Sequence, residues 1–143
     1  MCLFVEAVCP ADDRAALEAA ATAASRAGLR VDLDHPSRWP CAKNRLVRAK
    51  ISEEGGCACS LLSEDAGWNA ETWSMRPDVL DRLALTLETL AVRGPHGLIV
   101  ETLWGGDEPK NTVSVTPSEL AEVARLGKLG TRTRYAVVRD NAG

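Results

Sequence analysis

Leu29-Arg30-Val31-Asp32-Leu33-Asp34, broken by His35-Pro36 and followed by Leu46-Val47-Arg48-Ala49-Lys50-Ile51, is the stretch that decides the fold. In the first run Leu29, Val31 and Leu33 fall on one side and the charges on the other, the period of two expected of a half-buried strand. The second run alternates more weakly and stops at Glu53-Glu54-Gly55-Gly56, a cluster of turn formers. Two successive strands, joined by a polar connection with Pro36, Trp39 and Pro40, leave few topologies once their flanks are read.

Upstream, a helix is expected from Asp12, with Leu17, Ala20, Ala21 and Ala24 on one face and Arg14 four residues before Glu18. Both the spacing and the i,i+4 charge pair favour it. Gly28 is expected to close it as a left-handed cap. Before it, Leu3-Phe4-Val5-Glu6-Ala7-Val8, ended by Pro10, reads as a buried strand. Downstream, Leu80, Leu83, Leu87 and Leu90 recur at i, i+3, i+7 and i+10 across residues 78–92. That is the clearest helix in the chain, with Asp78 and Asp81 as its expected N-terminal cap and Arg93-Gly94-Pro95 as its stop. Residues 97–104 then read as a strand.

The resulting order, β-α-β-β-α-β, is that of the ferredoxin-like split βαβ fold. The first strand should lie between the third and fourth, antiparallel to both. The expected fold class is therefore α/β (α+β), a ferredoxin-like β-α-β-β-α-β core with an appended C-terminal strand-helix-strand. The appended part comprises a short β-rich run at 112–115, a helix opened by Thr116-Pro117-Ser118-Glu119, and a closing strand at 132–139. Thr at the cap, Pro at the first helical position and Glu at the third make that helix start explicit. With no internal repeat and no linker, residues 1–143 are expected to form a single globular domain.

The chain has 143 residues, 45% of them hydrophobic and 26% charged. These values exclude extended disorder and allow roughly two-thirds of the unfolded surface to be buried. Its formal charge of −3 would repel a phosphate backbone, so nucleic acid is not an expected partner. No apolar run approaches the roughly 20 residues of a membrane span. The opening residues lack a basic leader, and the expected localisation is cytoplasmic. Five cysteines, an odd number, then read as reduced thiols or soft-metal ligands rather than a disulfide framework.

Gly55-Gly56-Cys57-Ala58-Cys59 is the most distinctive local motif. Two thiols one residue apart can reach one soft ion, zinc or copper(I), though they supply only half a tetrahedral shell. The expected topology brings Cys2 to the same edge as Cys57 and Cys59, beside the turn carrying Asp107 and Glu108. Three thiols and two carboxylates there could hold a metal or a small polar ligand. Buried or half-buried thiols without a function account for the motif equally well.

Residues 57–75 show no clear period, and a segment that long without regular structure is more often functional than ornamental. Trp68 or Trp73 is expected on a partly exposed concave surface, with Trp104 at the same edge. Met1-Cys2 resembles the opening of N-terminal nucleophile glutamine amidotransferases, in which a free α-amine activates the thiol, although Leu3 replaces their glycine. Gly105-Gly106-Asp107-Glu108 resembles the signature turn of diguanylate cyclases over four residues, but Pro109 stands where those carry an aromatic. Good turn formers account for the run without that chemistry. His35 and His96 lie at element boundaries. Arg132, Arg134 and Arg139 could face an anion or guard an exposed edge.

The leading expectation is a small binding domain whose partner is a small molecule or a protein. Its ligand-binding candidates are Trp68, Trp73, Trp104, Asp107 and Glu108. A thiol-based metal or redox protein using Cys2, Cys57 and Cys59 is the first alternative. An enzyme with Cys2 or a loop cysteine as nucleophile is the second. Homo-oligomerisation is left open.

Overall fold

A computed structural model describes residues 3–33, 46–55, 57–63, 71–105 and 107–139. Its elements are β1 (Leu3–Pro10), α1 (Arg14–Ala27), β2 (Arg30–Leu33), β3 (Leu46–Ser52), α2 (Leu80–Arg93), β4 (Ile99–Trp104), β5 (Asn111–Val115), α3 (Pro117–Arg125) and β6 (Thr133–Val137). Single 3-10 turns lead into α1 at Ala11–Asp13 and into α2 at Pro77–Val79, and a third spans Cys59–Leu61. No helix among the described residues is long and apolar enough to cross a membrane.

The fold is mixed α/β, with one six-stranded sheet in the order β2-β3-β1-β4-β6-β5. β1 runs antiparallel to β3 and β4, with Val5 opposite Ile51 and Thr102. The six-strand order differs from the four-stranded ferredoxin-like sheet expected from the sequence. β6 pairs antiparallel with β4, and β5 pairs with β6 in parallel. A parallel neighbour requires a crossover, which α3 supplies between β5 and β6. Without β6, β4 would present a row of unpaired amides and carbonyls at an open edge. β6 is therefore an interior strand, so of the two readings of Arg132, Arg134 and Arg139 the guarding of an exposed edge by this strand is removed.

Alternation sorts each strand into two faces. Leu3, Val5, Ala7 and Cys9 of β1, Val47, Ala49 and Ile51 of β3, Val100 of β4 and Tyr135 and Val137 of β6 are buried in one cluster with the helices. Leu17, Ala20, Ala21 and Ala24 face it from α1, Leu83, Leu87 and Leu90 from α2, and Leu120, Ala121 and Ala124 from α3. Each leucine withdrawn there contributes about 1.5–3 kcal/mol of transfer free energy. Burial and the nearby Asp13 carboxylate push the Cys9 thiol up from its ordinary pKa.

Thr116 opens α3 as its motif requires: the hydroxyl accepts from the Glu119 amide at 3.2 Å, and the Glu119 carboxylate accepts from the Thr116 amide at 3.0 Å. That reciprocal bonding holds the Glu119 carboxyl below its usual range. Two other helix ends differ from expectation. Gly28 closes α1 at φ −149°, not in the left-handed region. It is needed for proximity, because a Cβ there would collide with the Thr86 hydroxyl and the Arg82 carbonyl of α2. That hydroxyl accepts from the Leu29 amide and donates to the Arg82 carbonyl, both at 2.7 Å.

Asp78 caps nothing by its side chain. It instead receives two hydrogen bonds from Arg76, whose guanidinium also makes two to Glu53 and one to the Ser60 carbonyl. One arginine thus ties the end of β3 to the 3-10 turn at Cys59–Leu61 and the start of α2. Its hydrogen bonds hold both carboxyls below their ordinary range, while Asp78, then Glu53, raises its own pKa.

Candidate functional site

The second face of the sheet is covered by no helix among the described residues. It carries Phe4, Glu6 and Val8 from β1, Arg48 and Lys50 from β3, Ile99, Glu101 and Leu103 from β4, and Arg134 and Ala136 from β6. Glu6 and Glu101 are directly opposite one another across the β1–β4 pairing. They are only 8% and 6% exposed. Paired like charges in adjacent strands destabilise a sheet unless a cation stands between them.

Arg48 fills that place. Its Nη1 lies 3.1 Å from Glu6 Oε2 and 3.3 Å from Glu101 Oε1. Burial works against its charge, but the hydrogen bond and charge of Glu6, and then those of Glu101, outweigh it and hold its pKa above the ordinary guanidinium value. Arg134 approaches from the other side, with Nη2 3.7 Å from Glu101 Oε2. Its Nε is buried without a hydrogen-bond partner among the described residues. Lys50, opposite Glu6 in register, places its ammonium 5.5 Å from the Phe4 ring centre, within cation–π range.

The turn after β4 folds beside this array and makes a concavity of about 340 Å³, within the usual range for small-molecule sites. Phe4, Leu103 and Pro109 supply apolar wall, and four carboxylates, those of Glu6, Glu101, Asp107 and Glu108, face two guanidiniums, those of Arg48 and Arg134. Asp107 is engaged by Arg132 Nε at 3.0 Å. Glu108 is exposed and has no ion pair among the described residues.

Three sequence candidates, Trp104, Asp107 and Glu108, therefore line one concavity. Trp73 does not join them. It is 3% exposed and meets Trp104 edge to face, with ring centres 4.8 Å apart. Of the two indoles expected on a partly exposed concave surface, Trp73 is therefore the buried one, its amide donating to the Leu129 carbonyl, and the expectation rests on Trp68. The Trp73 indole N–H is itself unpaired among the described residues. Trp68 and Cys2 lie outside the described residues, as do Trp39, Cys41 and His35.

Cys57 and Cys59 are half-buried, and the motif lies beside the start of β1. The Leu3 amide donates to Cys59 Sγ at 3.2 Å, and the Ala58 amide donates to the Leu3 carbonyl at 2.9 Å. Among the described residues no group of three His, Cys, Asp or Glu side chains is placed to hold a metal ion.

Glu6, Arg48 and Glu101 were not among the candidates drawn from sequence, and Arg134 was singled out there only as facing an anion or guarding an edge. The available signal was a carboxylate in the middle of each of two strongly apolar strands, Leu3-Phe4-Val5-Glu6-Ala7-Val8 and Ile99-Val100-Glu101-Thr102. Arg139 completes the reading of the C-terminal arginines by donating to the carbonyls of Ala91 and Gly94 at the end of α2, where the helix dipole favours a cation. No protein-family model, curated protein or solved structure matches the chain.

Proposed function

We propose that this is a ligand-binding domain, and that its recognition surface is the concavity between the sheet face turned away from α1, α2 and α3 and the turn after β4. The observation that carries the proposal is the burial of the Glu6–Glu101 pair on that face. Withdrawing charges from water costs several kcal/mol per ion, and well-packed apolar side chains often serve stability as well or better. Such networks concentrate at functional sites. An excess of carboxylates over guanidiniums favours a small molecule bearing an ammonium or guanidinium group, with Phe4, Leu103 and Pro109 against its carbon skeleton.

Agmatine, which carries both cationic groups, tests this by calorimetric titration against butanol as a neutral control. Binding of agmatine, weakened by Glu108→Gln and unchanged by Glu122→Gln on α3, is the expected result. Absence of binding, or equal weakening by both substitutions, overturns it, because the second outcome reports net charge alone.

The ferredoxin-like reading of the first part of the chain belongs to the same proposal. It is supported by the antiparallel run β2-β3-β1-β4, onto which β6 and β5 are added.

A second reading, soft-metal binding by Cys2, Cys57 and Cys59, is favoured by the Leu3–Cys59 contact, which brings the residue after Cys2 against the C-x-C motif. Protein purified under reducing conditions should then take up zinc or copper(I), with the uptake lost in Cys57→Ser while the fold persists. Failure to take up either ion removes this reading.

A further inference from the structure

We infer a second binding site, on the other side of Trp104, for a small molecule carrying a phosphate group. Residues 71–73 and 129–131 form a strap: the Trp73 amide donates to the Leu129 carbonyl at 2.9 Å, the Thr131 amide donates to the Glu71 carbonyl at 2.8 Å, and Thr72 bridges Gly130 antiparallel. Between this strap and the start of β5 and β6 lies a cavity of about 920 Å³. It is far larger than a bare ion needs and falls within the range of organic ligands.

The lining is basic. Lys110, Lys128 and Arg132 face a single carboxylate, that of Glu71. Neither lysine has an ion pair among the described residues, and both are exposed. Arg132 sits at φ 53°, in the left-handed region that non-glycine residues rarely occupy. Its carbonyl accepts from the Lys110 amide at 2.7 Å and from the Asn111 amide at 3.3 Å, while its Nε is held by Asp107. The strained residue is thus held at its carbonyl and by its side chain, and backbone strain of this kind clusters at ligand sites.

Tyr135 and Trp104 supply aromatic wall for a carbon skeleton. The Tyr135 oxygen accepts from the Gly130 amide at 2.8 Å, and its own proton has no acceptor among the described residues. Burial keeps that phenol protonated above its ordinary pKa, the Gly130 hydrogen bond only partly opposing it. Uncommitted ammonium groups, a fixed arginine and a phenol donor around one volume suit an anion with several acceptor oxygens. The opposite charge balance separates this cavity from the acidic concavity, with which it shares Trp104.

Calorimetric titration with phenyl phosphate, inorganic phosphate and phenol tests the assignment. Phenyl phosphate should bind more tightly than either fragment. Lys110→Ala combined with Lys128→Ala should weaken it by about tenfold or more, the loss expected from two charge-assisted contacts, whereas Arg93→Ala on α2 should leave it unchanged. Both lysines are exposed, so the double variant should retain the unfolding transition of the parent. No binding of phenyl phosphate, phenol binding as tightly as its phosphate ester, or equal affinity in the double variant and the parent would each overturn the site.

Discussion

Leu83→Ala is expected to lower the unfolding free energy by about 2–5 kcal/mol, the range for truncating a large buried aliphatic side chain. Leu83 is fully buried on α2, which packs against α1 on one side and α3 on the other. A cavity there lies within the close-packed common core and has little freedom to collapse. Leu85→Ala supplies the control, since Leu85 lies on the same helix at 44% exposure and should change stability by no more than about 0.5 kcal/mol. Urea unfolding of both variants checks the pair. A Leu83 variant no weaker than the Leu85 variant would mean that the helix presents another face to the sheet.

Arg48→Met is expected to cost about 1–3 kcal/mol, because it leaves two buried carboxylates without the donor they share. The figure sits below that for breaking a fully buried pair, since Arg48 keeps 38% of its side-chain surface and Arg134 still faces Glu101. Adding Glu6→Gln should return part of the loss, giving a coupling energy of about 0.5–3 kcal/mol in a double-mutant cycle. Strict additivity of the two substitutions would show that the charges do not act as a unit in solution. Met is the chosen replacement because it keeps the long apolar stem that Arg48 lays along the sheet.

Local chemistry made the helices legible. Thr116-Pro117-Ser118-Glu119 carries its whole capping box within four residues, and the leucine period of α2 needs no partner to be recognised. Gly28 was legible as a stop but not as a point of approach, because Thr86 reaches it only when α2 lies beside α1. The same limit applied to the candidate site. Glu6 and Glu101 are visible as mid-strand carboxylates, yet only the register of β1 against β4 makes them neighbours, and only β3 and β6 deliver Arg48 and Arg134. The burial of Trp73 was not legible for a related reason: residues 71–73 find their hydrogen bonds at 129–131, far along the chain, and residues 57–75 carry no period that announces this.

β1 has no partner near it in sequence, since it is bonded to residues 46–52 on one side and 99–104 on the other. Long loops must close before these contacts reward the ordering they demand, and folding dominated by such pairing is slower than folding through local contacts. During synthesis the apolar run at residues 3–8 therefore emerges with both edges open, and its second edge stays open until residues 99–104 have been made. This interval, rather than any weakness of the finished sheet, is where aggregation competes with folding.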